Sequence, residues 1–324
     1  MKGLTQYPER RQNVQERNGG DARKQSLLGR LSQCFRYREE IQPCGTVRDA
    51  HRNRSGGRKP SRRAVRQLKK ETELKVMKKT IYAYDVVIEV GRKCNLCCAH
   101  CLRGPAEDKT VDVETAKKFL SEFSSIESLI FTGGEPCLYA DEIISIIDYV
   151  IEQKIQVNGC YIASNGTIKS PALMMKLVEF RAYCSDCYGG YDDDTEYAFR
   201  FDVSNDMFHD GYENNLRWFS GFSFVGTRNN VNGADTSGML ISEGRAEEYG
   251  MGTRTLDKSK GFDIEESNAT AVNVTIVYLN AEGYVLPDCD YSYQTQREIK
   301  PFKYGSMPLD RIIETYNVSV SEVA

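Results

Sequence analysis

The chain has 324 residues, 40% of them hydrophobic, which is enough to bury a large core in one or two domains. It has no apolar run near twenty residues and no apolar stretch at its start, so the sequence predicts neither a membrane span nor a secretory signal. The 11 cysteines show no regular pairing pattern, which excludes a small secreted disulfide scaffold and favours a reducing, cytoplasmic location.

The net charge of −3 conceals two parts of opposite sign. Residues 1–79 carry 22 Lys and Arg against 8 Asp and Glu, so the rest of the chain carries 21 against 38. Because this basic segment lacks apolar periodicity, it is predicted to be disordered, or to be a spurious extension that precedes a true start at Met77. The alternative is a basic arm that contacts phosphates, and nucleic acid is an expected partner only through this segment.

From Ile81 onward, apolar segments of strand character alternate with amphipathic segments of helical character. This alternation predicts an α/β fold with mainly parallel strands. Strands are predicted over residues 81–90, 128–131, a stretch ending near 162, 197–203, 222–225, 272–279 and 284–286, the last two forming a hairpin. Helix N-caps are predicted at Asp112, Asp141 and Ser170. The helix after Asp112 is predicted to place its apolar residues on one face, namely Val113, Ala116, Phe119, Leu120 and Phe123. A last amphipathic helix uses Leu309, Ile312, Ile313 and Tyr316.

Three cysteines follow the first predicted strand with the spacing Cys94-x3-Cys98-x2-Cys101. Thiolates are the usual protein ligands of iron–sulfur clusters, and a set of three leaves one iron of a 4Fe–4S cluster without a protein ligand. Cys97 lies outside this spacing, so it is predicted not to bind iron. A second motif, FTGGEP over residues 131–136, follows about thirty residues later at the end of the next strand.

The sequence CNLCCAHC over residues 94–101, together with FTGGEP, resembles the radical S-adenosylmethionine (SAM) enzymes. The resemblance covers roughly residues 80–290 and implies a partial (β/α) barrel of about six mainly parallel strands, with its chemistry at the carboxyl ends of the strands. It implies a 4Fe–4S cluster on Cys94, Cys98 and Cys101, with SAM bound at the free iron. Reductive cleavage of SAM would then release a 5′-deoxyadenosyl radical that abstracts a hydrogen atom from a substrate. A reductase or flavodoxin-type electron donor is an expected partner.

The resemblance also implies that the turn after the second motif strand binds the amino group of SAM. The residues of this turn are Gly133, Gly134, Glu135 and Pro136. The glycines are expected to let the backbone approach a ligand closely, and the Glu135 carboxylate suits an ammonium group. Pro136 is expected to stiffen the turn.

Further cofactor contacts are implied at other positions on the same rim. His100, which precedes the third cysteine, is expected to stack near the adenine; the alternatives are a hydrogen bond near the cluster and a packed loop histidine without a special role. Polar groups suited to the ribose and the methionine carboxylate follow the next strands, at Ser164, Asn165, Ser204 and Asp206. An ordinary turn or cap role is the alternative for each of these four residues. Arg245 is interpreted either as an anion clamp or as a surface ion pair.

The expected organisation is an extension over residues 1–79, a radical SAM core over residues 80–290 and a tail with a helix over residues 291–324. Because the acidic core disfavours a large polyanion, a peptide or protein substrate is favoured over a nucleotide or RNA. A non-catalytic iron–sulfur or zinc protein with a nucleic-acid-binding arm is the remaining alternative. Cys184 and Cys187 form a CxxC pair that could hold zinc, with Cys289 as a third candidate ligand, although a core without an auxiliary metal is favoured.

Overall fold

The structure is a computed structural model that describes residues 78–192, 195–206, 208–209, 212–228, 240–252, 254–299 and 301–321. The basic segment, apart from its last two residues, lies outside the described residues. So does Met77, and the predictions of disorder, of a spurious extension and of a phosphate-binding arm therefore stay predictions.

A single sheet organises the described part of the chain. Its strands are β1 (Thr80–Gly91), β2 (Phe123–Gly133), β3 (Gln156–Val157), β4 (Cys160–Ser164), β5 (Phe199–Ser204), β6 (Val225–Arg228), β7 (Ile264–Ser267), β8 (Ala271–Leu279), β9 (Tyr284–Leu286) and β10 (Phe302–Lys303). The main path is β10-β9-β8-β1-β2-β4-β5-β6, with β3 paired to β2 and β7 paired to β8. The strands from β8 to β6 along this path are all parallel to their neighbours, whereas β7, β9 and β10 pair antiparallel. The α/β fold with a mostly parallel sheet, consistent with a partial barrel, is thereby confirmed.

The helices lie between the strands, as the alternating pattern predicts. Those in the described residues are α1 (Val113–Leu120), α2 (Ala140–Glu152), α3 (Pro171–Tyr188), α4 (Tyr212–Phe219), α5 (Gly244–Glu248), α6 (Tyr293–Glu298) and α7 (Leu309–Ser321). Single 3-10 turns cover Pro136–Tyr139 and Glu196–Ala198. No helix in these residues is long and apolar enough to cross a membrane.

Two of the three predicted helix caps are confirmed. Asp112 accepts a hydrogen bond from the amide of Thr115, and Ser170 accepts one from the amide of Leu173. The predicted cap at Asp141 is wrong, because the 3-10 turn that ends at Tyr139 continues directly into α2. Asp141 lies in the first turn of that helix, where its negative charge interacts favourably with the positive end of the helix dipole.

Strand boundaries differ from the predicted ones at several places. β2 begins at Phe123, which the helical pattern assigns to the face of α1. Phe123 is 5% exposed and pairs with Ile81 of β1, so its burial comes from the sheet. β5 and β6 begin at Phe199 and Val225, later than predicted, because short turns occupy the residues before them.

The last helix packs against the sheet. Its predicted apolar residues are all buried, namely Leu309, Ile312, Ile313 and Tyr316. The amide of Lys79, at the start of β1, donates a hydrogen bond of 3.1 Å to a carboxylate oxygen of Asp310. α7 therefore contacts the amino end of β1, and the carboxyl end of β1 leads into the cysteine loop.

Candidate cluster and cofactor site

A cavity of about 590 Å³ opens at the carboxyl ends of the parallel strands. Eleven of the twelve residues that the sequence predicts for the site line it: Cys94, Cys98, His100, Cys101, Gly133, Gly134, Glu135, Pro136, Ser164, Asn165 and Ser204. Asp206, the remaining predicted residue, does not line the cavity and lies behind its wall. Parallel strands bring their carboxyl ends to one edge, so residues far apart in sequence meet here.

The cysteine loop directs three thiols to the cavity and one away from it. Cys94, Cys98 and Cys101 line the cavity, whereas Cys97 is exposed. The Cys97 thiol contacts the guanidinium of Arg245, and this hydrogen bond raises the pKa of Arg245. Three thiols facing one space, with the fourth turned outward, are a donor set that suits a 4Fe–4S cluster with one iron left open.

The local conformation of this loop is held by helix α5. The Arg245 amide donates a hydrogen bond of 2.9 Å to the carbonyl of Cys101. Gly244 has a φ of 57°, and a Cβ there would lie 2.4 Å from the carbonyl oxygen of Leu102. Burial raises the pKa of the Cys94 thiol to about 11. A bound iron ion would hold this group as thiolate in spite of its burial.

The glycine turn after β2 packs against the same cysteine loop. A Cβ on Gly133, whose φ is 145°, would lie 2.1 Å from the Gly91 carbonyl oxygen, and one on Gly134 would lie 2.2 Å from that of Lys93. The amides of Gly134 and Glu135 each donate a hydrogen bond of 2.9 Å to these two carbonyls. The close approach that glycine permits is therefore an approach to the chain's own cysteine loop.

Glu135 is buried, and its carboxylate joins the turn to the end of β4. One oxygen accepts hydrogen bonds from the Ser164 hydroxyl (2.7 Å) and the Cys137 amide (3.0 Å), and the other accepts from the Asn165 amide (2.8 Å). Burial raises the pKa of Glu135, while these three donors favour its charged form. The sequence predicts an ammonium partner for Glu135, whereas the structure shows three partners from the chain itself.

The side chains of Asn165 and Ser204 differ in how many hydrogen bonds they form with the described residues. The Asn165 side chain donates to Asn95 of the cysteine loop (3.0 Å) and accepts from the hydroxyl (2.6 Å) and the amide (2.9 Å) of Thr167. It therefore has the turn role that the sequence leaves open. Within the described residues, the Ser204 hydroxyl has no hydrogen-bond partner and faces the cavity.

Two of the three histidines in the chain meet beside the cysteine loop. Nδ1 of His209 lies 2.6 Å from Asp206 Oδ1, and Nε2 of the same ring lies 3.8 Å from Cys98 Sγ. Burial lowers the pKa of His209, but the interactions of the ring with Asp206 and Cys98 together outweigh burial and raise that pKa to about 9. Burial raises the pKa of Asp206, but its interactions with His209, the Phe208 amide and His100 together outweigh burial and lower that pKa.

His100 stacks on Phe208 at a ring separation of 4.2 Å and meets the His209 ring edge-on at 5.6 Å. Its Nδ1 is buried without a hydrogen-bond partner in the described residues, and burial lowers the pKa of the ring. An aromatic ring packed beside the cavity is compatible with the predicted stacking role. The sequence analysis missed His209, although it follows Asp206 by only three residues.

The CxxC pair lies on α3, away from this cavity. Cys184 is fully buried in the apolar core close to Cys160, and Cys187 is half-buried. Cys289, which the sequence analysis considers as a third zinc ligand, lines the cavity instead. Among the described residues, no group of three candidate metal ligands contains Cys184 or Cys187.

One wall of the cavity carries residues to which the sequence analysis gave no site role. Arg103, Arg228, Arg254 and Asp290 line the cavity, together with Cys289. Arg103 follows the third cysteine by two residues, which is the one local signal for it. The others lie on β6 and on loops whose position only the folded sheet reveals.

Comparison with known proteins agrees with the geometry of the cysteine loop. A family model described as a 4Fe-4S single cluster domain matches residues 86–179. An uncharacterized protein of Methanocaldococcus jannaschii is 31% identical over 98 residues, which are 29% of this chain and 34% of that protein. An AdoMet-dependent heme synthase of Nitratidesulfovibrio vulgaris is 32% identical over 122 residues, 35% of this chain and 31% of the synthase. The chain thus spans about a third of the length of these relatives.

Solved structures show weaker likeness. SuiB of Streptococcus suis, bound to precursor peptide SuiA, is 14% identical with a TM-score of 0.39, over 92% of this chain and 78% of that one. The structure of anSMEcpe with bound AdoMet and a Cp18Cys peptide is 11% identical with a TM-score of 0.39, over 74% of this chain and 82% of that one.

The family match over residues 86–179 contains the cysteine loop, the glycine turn and the end of β4. These are the segments that the hydrogen bonds of Glu135 and Asn165 join into one wall of the cavity. Over part of its length the chain is therefore similar to a 4Fe-4S single cluster domain and to an AdoMet-dependent heme synthase.

Proposed function

We propose that the chain is an enzyme in which a 4Fe–4S cluster and SAM supply a 5′-deoxyadenosyl radical for hydrogen abstraction from a peptide or protein. The observation that carries this proposal is the position of three thiols on one cavity, with the neighbouring Cys97 thiol turned away from it. A chain that merely stored iron would have no need for a cavity of about 590 Å³ beside those thiols. That volume lies in the usual range for sites that bind small molecules and cofactors.

The residues of the chain have three kinds of role in this proposal. Cys94, Cys98 and Cys101 hold the cluster. The Ser204 hydroxyl and the half-buried backbone of Gly133 and Gly134 bind polar groups of SAM, because they line the cavity. Asn165 and Glu135 act as positioning residues, since their hydrogen bonds hold the cysteine loop and the turn at a fixed separation.

A peptide or protein substrate is favoured by the charge of the core. The chain beyond residue 79 has 21 basic and 38 acidic residues, and such a field repels a polyanion such as RNA. A single acidic group can still bind where local arginines outweigh that field. A reductase or flavodoxin-type protein would deliver the electron.

The test is the formation of 5′-deoxyadenosine by protein that has been reconstituted anaerobically with iron and sulfide. Dithionite and SAM are added, and the product is quantified by mass spectrometry against the same mixture lacking reductant. We expect reductant-dependent product even without substrate. Fully iron-loaded protein that yields none above this control would overturn the proposal and favour a non-catalytic iron–sulfur protein.

A further inference from the structure

Arg103 is a buried cation in the cavity wall that forms no ion pair with any carboxylate of the described residues. Arg103 is 9% exposed and lines the cavity. One nitrogen, Nη1, donates a hydrogen bond of 2.7 Å to the carbonyl of Tyr291, and the guanidinium lies 5.5 Å from the centre of the Tyr278 ring. Within the described residues, no carboxylate oxygen lies within 4.0 Å of it, and Nε and Nη2 have no hydrogen-bond partner.

Arg92, which is also buried at this end of the sheet, differs from Arg103 because it has carboxylate partners. Arg92 is 0% exposed and forms ion pairs with Glu89, Glu107 and Glu282. Removal of a guanidinium from water costs several kcal/mol unless an anion compensates for it. Glu89, a buried carboxylate whose charge acts on both arginines, already accepts hydrogen bonds from Arg92, Tyr278 and Gln296. Arg103 is therefore left to face the cavity.

Groups of both charges line the cavity that Arg103 faces. Arg228 and Arg254 line it, and so do Asp290, which lies 4.0 Å from Arg254, and Glu135, whose carboxylate is occupied by three donors of the chain. Cys289 also lines it. Burial and the charge of Asp290 raise the pKa of this thiol to about 12, and the charge of Arg103 opposes them, so Cys289 lies within electrostatic reach of Arg103.

We propose that Arg103 binds a carboxylate of the substrate, either an acidic side chain or the free carboxyl terminus of a peptide. This inference rests on the proposed function, because it names a feature of the substrate for that reaction. With Nη1 engaged by Tyr291, the remaining edge of the guanidinium is a planar pair of donors that matches a carboxylate. Asp290 in the same wall disfavours a dianion such as a phosphate monoester.

The rate at which the Cys289 thiol is alkylated can be used to measure anion binding at this site. Iodoacetate and iodoacetamide alkylate thiols by the same displacement of iodide, but only iodoacetate carries a carboxylate. Cluster-loaded protein, without SAM or reductant, is treated with each reagent, and the peptide containing Cys289 is quantified by mass spectrometry. We expect the ratio of the iodoacetate rate to the iodoacetamide rate at Cys289 to exceed that of a free thiol by about tenfold. Glutarate should suppress the iodoacetate reaction.

The matched variants are Arg103→Met and Arg245→Met. Arg103→Met should reduce the rate ratio at Cys289 at least fivefold, whereas Arg245→Met, which removes an arginine beside Cys97 outside the cavity, should leave it unchanged. Arg103→Lys should retain part of the preference. An unchanged ratio in Arg103→Met, or the ratio of a free thiol in the unsubstituted protein, overturns the proposal. The second result does not depend on any variant folding.

The carboxylate of SAM is the other source of the same chemistry, and equilibrium dialysis with SAM separates the two. We expect Arg103→Met to change the SAM dissociation constant less than twofold, and a tenfold weakening would assign the anion to SAM and overturn the proposal. Suppression by inorganic phosphate that is stronger than by glutarate at equal concentration would also overturn it. None of these measurements needs turnover, so their outcome is independent of 5′-deoxyadenosine formation.

Discussion

The carboxylate of Glu135 accepts a hydrogen bond of 2.8 Å from the backbone amide of Asn165, which fastens the glycine turn after β2 to the end of β4. Two further donors, the Ser164 hydroxyl and the Cys137 amide, share the other oxygen of the same buried carboxylate. The wall of the cavity is thus fixed by one side chain with three contacts. Its removal should affect both stability and the shape of the site.

Glu135→Gln should lower the free energy of unfolding by about 1–3 kcal/mol, because the amide nitrogen of glutamine cannot accept a hydrogen bond from these donors. Urea unfolding followed by circular dichroism measures the change, and SAM affinity should fall with it. Glu152→Gln, on the exposed surface of α2, is the matched control and should change neither quantity. Equal unfolding midpoints for Glu135→Gln and the unsubstituted protein would contradict the positioning role.

Cys97 and Cys98 are adjacent in sequence but face different surroundings. Cys98 lines the cavity, whereas Cys97 is exposed beside Arg245. Cys98→Ser should abolish the cluster, since a cluster with only two protein thiolates is not retained. Cys97→Ser should leave the iron content after reconstitution unchanged. Iron and sulfide analysis, together with the visible absorption of the cluster, reads out both variants. Loss of iron in Cys97→Ser would reverse the ligand assignment.

Gly134 should tolerate no side chain, because a Cβ would lie 2.2 Å from the carbonyl oxygen of Lys93. Gly134→Ala therefore has to push the glycine turn away from the cysteine loop. We expect iron loading to fall several-fold and the unfolding midpoint to drop. Gly221→Ala is the control, because nothing lies within 4 Å of its Cβ position. If both alanine variants load iron equally well, the packing of the turn against the loop does not matter for the cluster.

The sequence predicted those features of the fold that local pattern determines. Asp112 and Ser170 are caps because a side-chain oxygen can reach an amide three residues later, which depends on no other element. Phe123 was misassigned because its burial comes from pairing with β1 and not from a helical face. The cap at Asp141 failed because a 3-10 turn shifts the start of α2, and such a turn has no strong signal in the sequence.

The site was predicted as far as its motifs extend. The cysteine spacing and the glycine turn are contiguous in sequence, so they could be read directly. The contacts of Gly134 with Lys93 and of Asn165 with Asn95 depend on how neighbouring strands end, which no local pattern specifies. Arg103 is one of 43 basic residues, and the sequence does not show that it is buried in the cavity wall without an ion pair to a described carboxylate.

Arg92 joins three parts of the chain at the carboxyl end of β1. Its Nε donates to Glu89, its Nη1 to Glu107 and Glu282 at 3.0 Å each, and its Nη2 to Gln296 at 2.8 Å. Arg92→Met should cost about 3–5 kcal/mol of unfolding free energy, because it leaves the buried Glu89 charge without its partner.

Arg297 is the matched control for Arg92. It pairs with the same Glu107 and Glu282 but is 49% exposed. Arg297→Met should therefore cost less than about 1 kcal/mol. Urea titration of both variants measures the two changes. A cost for Arg92→Met no greater than that for Arg297→Met would mean that the buried network does not stabilise the fold.

Asp85 makes the stability of the fold depend on pH. Burial raises its pKa from 3.8 to about 6. Between these two values the folded state binds more protons than the unfolded state, so stability falls as pH rises through this interval and stays lower above it. Asp85→Asn has no charge to bury. It should match the unsubstituted protein near pH 4 and exceed its free energy of unfolding by about 2 kcal/mol near pH 8.

Asp186→Asn, on the exposed side of α3, is the matched control and should show no such difference between the two pH values. Urea unfolding at about pH 4, 6 and 8 gives the three points that define the interval. A stabilisation by Asp85→Asn that is equal at all three would show that the substitution acts through packing. If Asp85→Asn instead lowered the free energy of unfolding above pH 6, the charged carboxylate would have a favourable partner in the fold. Desolvation alone requires that the substitution stabilise the protein at this pH.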